Sequence, residues 1–223
     1  SFNIIVERCC IAYESIVYKS STSLNIDGEF TSIGNNAFSK LTALSTVIMP
    51  DKIRFIKKGA FADCVDLLEI VLPNNIKEIF KSAFEGCKKL SSVKGLEDVL
   101  SIGEQAFAGC DLKGTISLNR ALYVESNAFD GCDDIKVIKY GPDTYTDISS
   151  NVLGDHNPLI YVTYGSPIFY DVIFDNKKQP IMRIVMLKRK IDKYLEEWKA
   201  SADKKPLIVK GARQVGKTAS IRY

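Results

Sequence analysis

The stretch that decides the fold runs from Ile56 to Glu78 and reads IKKGAFADCVDLLEIVLPNNIKE. Its Ala-Phe dipeptide recurs at intervals of 23, 23, 23 and 22 residues, at Ala37-Phe38, Ala60-Phe61, Ala83-Phe84, Ala106-Phe107 and Ala128-Phe129. Self-similarity with a period of roughly 20 to 50 residues is the signature of a solenoid, in which each coil buries its apolar face against the next. The sequence therefore predicts a chain of stacked coils.

Other positions keep the same register. The third residue after each Phe is, in order, Leu41, Cys64, Cys87, Cys110 and Cys132. Six residues further on stand Val47, Ile70, Val93, Ile116 and Ile138, and two beyond these stand Met49, Leu72, Gly95, Leu118 and Tyr140. Apolar residues at period two predict one short strand per coil, and stacking makes these strands one parallel sheet. The Ile-x-x-x-Ala-Phe-x-x-Cys stretch is predicted to turn the corner as a short helical or 3₁₀ segment, with Phe in the core.

Incomplete copies extend the pattern at both ends. A partial first copy is visible in Leu24 and Ile26, and a degenerate sixth copy runs through Ile148, Val152-Leu153, His156, Leu159, Val162 and Tyr164. The predicted solenoid therefore covers residues 24–164. Apolar clusters in residues 1–23 and 165–185 predict capping segments, because an open solenoid end would expose its core.

This pattern resembles the leucine-rich repeats of the BspA type, whose members carry I-x-x-x-A-F-x-x-C-x-x-L-x-x-V-x-L-P. Lys113 stands where that motif has Leu, and Gly95 where it has the last apolar residue of the strand. The resemblance implies a leucine-rich-repeat solenoid of the α/β class. A solenoid has no built-in chemistry and offers an extended surface, so we expect a protein-interaction module rather than an enzyme.

The residues that flank the apolar strand positions form the candidate partner-binding face. They are mixed in chemistry and indicate no ligand class beyond an unidentified protein partner. The positions are Thr46, Ile48, Glu69, Val71, Ser92, Lys94, Thr115, Ser117, Val137, Lys139, Tyr161 and Thr163.

Four of the six cysteines repeat with the coil and form a structural ladder, Cys64, Cys87, Cys110 and Cys132, which His156 continues. Neighbouring strands lie about 4.8 Å apart, close to the Cα spacing of a disulfide, so distance alone does not decide between thiols and disulfides. Cysteine packs well as a small buried hydrophobe, which favours free thiols. No metal site is expected, because residues one coil apart lie along a line rather than around a point. His156 is expected to be a core residue rather than a catalytic one.

Charge divides the chain near Met186. Residues 186–223 hold 11 Lys and Arg against 4 Asp and Glu, a net charge of +7, which leaves −4 for the rest of a chain whose total is +3. A basic segment can bind nucleic acid or anionic lipid. Here its charges are interleaved with acids, and no aromatic-plus-basic platform is evident, so no nucleic-acid partner is expected.

The basic segment contains GARQVGKT at residues 211–218, a full match to the P-loop pattern G-x-x-x-x-G-K-[ST], after the strand-like Leu207-Ile208-Val209-Lys210. In a P-loop, Gly211 and Gly216 would let backbone N–H groups face the phosphates, Lys217 would reach the β- and γ-phosphates, and Thr218 would hold Mg²⁺. Ile191, Leu195 and Trp198 recur at helical spacing before it.

From Met186 onward the sequence resembles the start of bacterial AAA-type ATPases that carry G-A-R-Q-V-G-K-T. The sequence ends five residues after Thr218, so the acidic Mg²⁺ partner, the sensor residues and the arginine finger of that family are missing. We therefore expect a C-terminal helix and an incomplete strand-loop-helix in residues 186–223, with no catalytic residue, and no cofactor unless the ATPase domain is completed. Two hypotheses stay open: an interaction module with a non-catalytic ATPase stub, or a fragment of a working ATPase fused to a recognition domain.

No stretch approaches the roughly 20 apolar residues of a membrane span, and the first residues resemble no secretory leader. Together with the ATPase resemblance, this favours the cytoplasm. Cell-surface relatives of the repeat make the surface the alternative.

Overall fold

The computed structural model describes residues 2–5, 10–11, 20–144, 152, 159–163 and 183–187. Within these residues the chain forms short parallel strands and one 3₁₀ helix, Leu96–Asp98, and no α-helix. The strands stack into two ladders that run the length of the solenoid, which confirms the predicted parallel-strand solenoid.

The long ladder contains strands of three to six residues. It consists of β1 (Phe2–Ile5), β3 (Ser23–Asp27), β5 (Thr46–Ile48), β7 (Glu69–Val71), β9 (Ser92–Lys94), β11 (Gly114–Leu118), β13 (Ile135–Tyr140), β14 (Leu159–Thr163) and β15 (Arg183–Leu187). Hydrogen-bonded pairing joins it in three sections, β1-β3-β5, β7-β9 and β11-β13-β14-β15.

The short ladder contains strands of two residues and is continuous. It consists of β2 (Cys10–Ile11), β4 (Ser32–Ile33), β6 (Phe55–Ile56), β8 (Glu78–Ile79), β10 (Ser101–Ile102) and β12 (Tyr123–Val124). The prediction of one short strand per coil, stacked into a single sheet, was therefore wrong, because each coil makes two strands. In β6, β8, β10 and β12 only one of the two residues, such as Ile56 or Ile79, is buried, so these strands leave no period-two pattern in the sequence.

The corner that contains Ala-Phe is a series of turns rather than the expected helical or 3₁₀ segment. The residue before each Ala has a left-handed backbone, with φ of 53° at Asn36, 63° at Gly59 and 55° at Ser82. A left-handed residue stops a right-handed helix from continuing. Successive backbone N–H groups of the corner alternate between acceptors in their own coil and acceptors in the next coil. The Ala62 N–H donates to Gly59 O of the same coil, at 3.0 Å, and the Phe61 N–H donates to Ala83 O of the next coil, at 2.8 Å.

The Phe residues of successive corners stack through the centre of the solenoid. Centroids of neighbouring rings lie 5.2 to 5.5 Å apart along Phe38, Phe61, Phe84, Phe107 and Phe129. All five side chains are at most 1% exposed, and Ala60, Ala83 and Ala106 beside them are fully buried. The core is thus a continuous column along the solenoid axis.

The fourth coil departs from the motif and compensates locally. Lys113, which stands in the Leu position by simple counting, is exposed and pairs with Asp111 at 2.9 Å. Leu112, one residue earlier, is fully buried. The register shift between Gly114 and Thr115, where Gly114 has φ of 73°, then restores the alignment of β11 with β13.

The ends of the solenoid extend the ladders. In the predicted N-terminal cap, β1 pairs with β3 and β2 pairs with β4. At the other end Ile160, and not Val162, aligns with Ile138, so the expected register of the sixth copy was wrong by two residues. Val152 O accepts a hydrogen bond from the Phe129 N–H at 3.0 Å. In the earlier coils the carbonyl of the next Ala accepts the equivalent bond, as Ala83 O does from the Phe61 N–H.

The predicted boundary at Met186 falls inside β15, which pairs with β14. Met186 and Leu187 thus lie in a strand and not at the start of the expected helix. The remainder of the expected C-terminal helix and the P-loop lie in residues 188–223, outside the described residues.

Candidate partner-binding surface

The outward residues of the long ladder lie where period-two alternation places them. Val47 and Ile70 face the core at 6% and 0% exposure, and their neighbours in β5 and β7 are exposed. Of the twelve predicted positions, seven are exposed and four are half-buried, while the Thr163 side chain lies outside the described residues. The exposed positions are Thr46, Ile48, Glu69, Val71, Lys94, Thr115 and Lys139, and the half-buried ones are Ser92, Ser117, Val137 and Tyr161.

An open groove of about 450 Å³ lies on this face between β5 and β7. Ile48 and Val71, one repeat apart, line it at 61% and 53% exposure. The other lining residues are Thr46, Val47, Met49, Asp51, Glu69, Leu72, Pro73 and Asn74. Large apolar side chains this exposed are uncommon in the described part of the chain, where only Leu68 and Tyr123 join them.

The groove coincides with an interruption of the long ladder. Hydrogen-bonded pairing ends at β5 and resumes at β7. Beside this gap the Leu68 N–H bonds to Ser45 O at 3.3 Å. The groove therefore lies where the two strands are not joined by ladder hydrogen bonds.

Acidic side chains border the groove. Asp51 is exposed at one end, and the Glu69 carboxylate lies 3.0 Å from Lys94 Nζ on the next coil. Further along the ladder, Lys139 Nζ lies 6.0 Å from the centroid of the Tyr161 ring. The surface thus combines an apolar centre with charged edges, which is the composition of a protein-binding patch.

The ladder cysteines lie inside the solenoid, and Cys64, Cys87, Cys110 and Cys132 are free thiols at most 3% exposed. Each thiol donates to a Phe carbonyl of the preceding coil, as Cys87 Sγ does to Phe61 O at 3.2 Å. Burial raises the pKa of the Cys64 and Cys132 thiols to about 12. The pKa of Cys110 is raised as well, most by a hydrogen bond with Cys87 and next by burial. These cysteines therefore join coils and offer no nucleophile to solvent.

The remaining predicted sites lie outside the described residues. They are His156 and the P-loop residues Gly211, Gly216, Lys217 and Thr218. Among the residues that the structure describes, no group of three His, Cys, Asp or Glu side chains is placed to hold a metal ion. Nor does this part of the chain contain a helix long and apolar enough to cross a membrane.

One surface was missed at the sequence level. On the short ladder, Lys57 Nζ lies 3.9 Å from the centroid of the Phe80 ring and 4.8 Å from that of Phe55. An aromatic-plus-basic surface is therefore present on the solenoid, away from the basic segment 186–223. Its sequence signal is the pair of segments RFIKK at 54–58 and KEIFK at 77–81, which lie one repeat apart.

Comparison with known proteins supports the assignment of the repeat. Residues 11–136 match the model of the BspA type leucine-rich repeat region, in six copies. No curated protein matches the chain.

Three solved structures resemble the chain. A leucine-rich repeat protein from Bacteroides ovatus aligns with 75% of this chain, at 16% identity and a TM-score of 0.44. A leucine-rich cell surface protein from Faecalibacterium prausnitzii covers 56% of it, at 17% identity and a TM-score of 0.34. A leucine-rich repeat protein from T. pallidum covers 40%, at 20% identity and a TM-score of 0.25.

The chain spans 66%, 56% and 63% of the lengths of these three proteins. The family model, by contrast, covers more than half of this chain, and the residues that it matches include the stacked coils. The chain belongs to the BspA type leucine-rich repeat family.

Proposed function

We propose that this protein is an interaction module that binds a partner protein through the groove between β5 and β7. The observation that carries the proposal is the exposure of Ile48 and Val71, at 61% and 53%, side by side over an opening of about 450 Å³. Covering such side chains with a partner's apolar residue contributes about 25 cal/mol for each Å² of apolar surface buried, against which the loss of freedom on association counts.

The charged border suits a partner that carries basic residues beside its apolar anchor. Asp51 and Glu69 both line the groove, and Lys94 already occupies one side of Glu69. Charge complementarity at the rim of an interface sets orientation and association rate more than affinity. The apolar anchor is thus expected to supply most of the binding energy.

The test uses peptides selected from a random library against the full chain. Binding is then measured for the variants Ile48→Asp and Val71→Asp, with Leu68→Asp as a matched control. Leu68 is as exposed as Val71, at 53%, and does not line the groove. We expect about a tenfold or greater loss of affinity in the two groove variants, equivalent to about 1.4 kcal/mol. Selected peptides that bind all three variants as tightly as the parent would contradict the proposal.

For residues 186–223 we propose a non-catalytic ATPase stub. The support is the match of Gly211, Gly216, Lys217 and Thr218 to the P-loop pattern. A stub of this kind favours a cytoplasmic protein. The alternative, a fragment of a working ATPase fused to the repeats, has the same motif in its support.

Calorimetric titration of Mg-ATP into the full chain separates the two. The stub leads us to expect no hydrolysis and a dissociation constant no tighter than about millimolar, which corresponds to about −4.1 kcal/mol. Lys217→Ala should then change little. Micromolar binding that Lys217→Ala abolishes would require a completed nucleotide site and favour the alternative.

A further inference from the structure

The outward surface of the short ladder carries a basic patch in the second and third coils. Five cations define the patch: Arg54, Lys57, Lys58, Lys77 and Lys81. Ile56 and Ile79 point into the core, so the residues on either side of each point away from it. Register places Phe55 beside Glu78 and therefore Lys57 beside Phe80, which puts all four on one surface.

Aromatic rings hold the central cation of the patch in place. Lys57 Nζ lies over two rings, 3.9 Å from the Phe80 centroid and 4.8 Å from the Phe55 centroid. A cation over a ring face is attracted by the ring quadrupole without being neutralised. The Lys57 ammonium is thus positioned while its full charge is kept.

Four of the five cations have no acidic partner in the described part of the chain. No carboxylate oxygen of residues 20–144 lies within 4.0 Å of Arg54, Lys57, Lys58 or Lys77. Lys81 pairs with Glu104 on the next coil, at 2.7 Å. Neighbouring coils lie about 4.8 Å apart, so these like charges repel one another in the free protein. An anion bound among them relieves this repulsion.

The patch is compact and ends abruptly. In the two coils that follow, the surface next to it carries Glu104 and Glu125, and the Glu125 carboxylate accepts the Glu104 backbone N–H at 2.9 Å. An extended polyanion that ran along the solenoid axis would meet these carboxylates. Segments 54–58 and 77–81 carry five cations against the single carboxylate of Glu78, so the net positive charge of these two coils suits a short anionic segment.

We infer that this basic patch binds a short acidic segment of a partner protein, at a surface separate from the groove of the long ladder. Single-stranded nucleic acid fits less well, since it needs open ring faces for base stacking, and Lys57 covers the rings of Phe55 and Phe80. Carboxylates need only ammonium and guanidinium groups, which segments 54–58 and 77–81 supply.

The test measures binding of fluorescein-labelled octaglutamate to the full chain by anisotropy, at low and at physiological salt. Octaglutamine is the uncharged control, and a nine-nucleotide oligothymidylate is the nucleic-acid probe. Because residues 186–223 are also basic, Lys204→Gln/Lys205→Gln is the charge-matched control for Lys57→Gln/Lys77→Gln. A second patch variant, Arg54→Gln/Lys58→Gln, changes two exposed side chains and leaves the Lys57 contacts with both rings in place.

We expect both patch variants to weaken octaglutamate binding about tenfold and the tail variant to leave it within about twofold of the parent. Octaglutamine should not bind. Three results would each overturn the inference. They are equal losses in the patch and tail variants, octaglutamate binding too weak to detect at low salt, and tighter binding of the oligothymidylate than of octaglutamate. Because Ile48→Asp leaves this patch intact, failure here is distinguishable from failure of the proposed groove.

Discussion

The core and the outer surface of the same coils differ in how closely their residues repeat from one coil to the next. Inside, the Phe corners are nearly identical, with Phe61, Phe84 and Phe107 fully buried and their rings within 5° of parallel. Outside, one column of the long ladder reads Ile48, Val71, Lys94, Ser117 and Lys139. The inside thus specifies the coil, and the outside is free to differ from coil to coil. The two proposed binding surfaces use positions that differ from coil to coil.

The largest test of this difference compares two Phe residues. Phe84→Ala removes a fully buried ring from the middle of the stack and should cost about 3 to 5 kcal/mol in the free energy of unfolding. Phe55→Ala removes a half-buried ring on the outward surface and should cost much less. Urea denaturation of both variants and the parent measures the two costs. Equal costs would mean that the Phe column is not the core of the solenoid.

The buried thiols predict a smaller effect, which appears at alkaline pH. The pKa of Cys64 and of Cys132 is raised from 9.0 to about 12 by burial in the folded chain. The unfolded chain binds fewer protons above pH 9, so the stabilisation from each thiol is complete below pH 9 and is lost as pH rises toward about 12. At pH 10 each thiol should already have lost roughly 1 kcal/mol.

The measurement is the urea midpoint between pH 8 and pH 10.5, in the presence of a reducing agent. The variant Cys64→Ala/Cys132→Ala should begin less stable, because it loses packing and two hydrogen bonds to Phe carbonyls. Its midpoint should nevertheless fall less steeply with pH than that of the parent. Parallel slopes would show that these thiols ionise alike in the folded and unfolded chains.

Thiol counting gives an independent check on the same residues. In urea and without reductant, all six cysteines of the sequence should react with a thiol reagent. In the native protein the four ladder cysteines should be protected, because none is more than 3% exposed. A count of two in urea would instead indicate disulfides within the ladder.

The sequence was sufficient for features that leave a residue pattern in every coil and insufficient for features that leave none. The Ala-Phe spacing fixed the coils and the Phe column, because one period brings identical residues into contact. The short ladder escaped detection because a two-residue strand has no periodicity to detect. The left-handed Ser82 and Gln105 also carried no signal, since neither is a residue type that favours φ above zero.

The candidate surfaces show the same limit. The outward positions of the long ladder followed from alternation, but the groove did not, because alternation does not show where pairing between neighbouring strands such as β5 and β7 is interrupted. The basic patch was overlooked for a different reason. Its two segments are unremarkable singly, and only the 23-residue offset places Lys57 beside Phe80.

Surface ion pairs between neighbouring coils should give the smallest effect. Lys89 Nζ lies 2.7 Å from an Asp66 carboxylate oxygen, and Lys81 pairs with Glu104 in the same way, each across 23 residues. These side chains are 37% to 62% exposed, so water and salt screen the attraction. A double-mutant cycle with Lys89→Ala and Asp66→Ala should give a coupling of about 0 to 1 kcal/mol that shrinks in high salt. A coupling as large as the cost of Phe84→Ala would show that the charged exterior, and not the repeated core, holds neighbouring coils together.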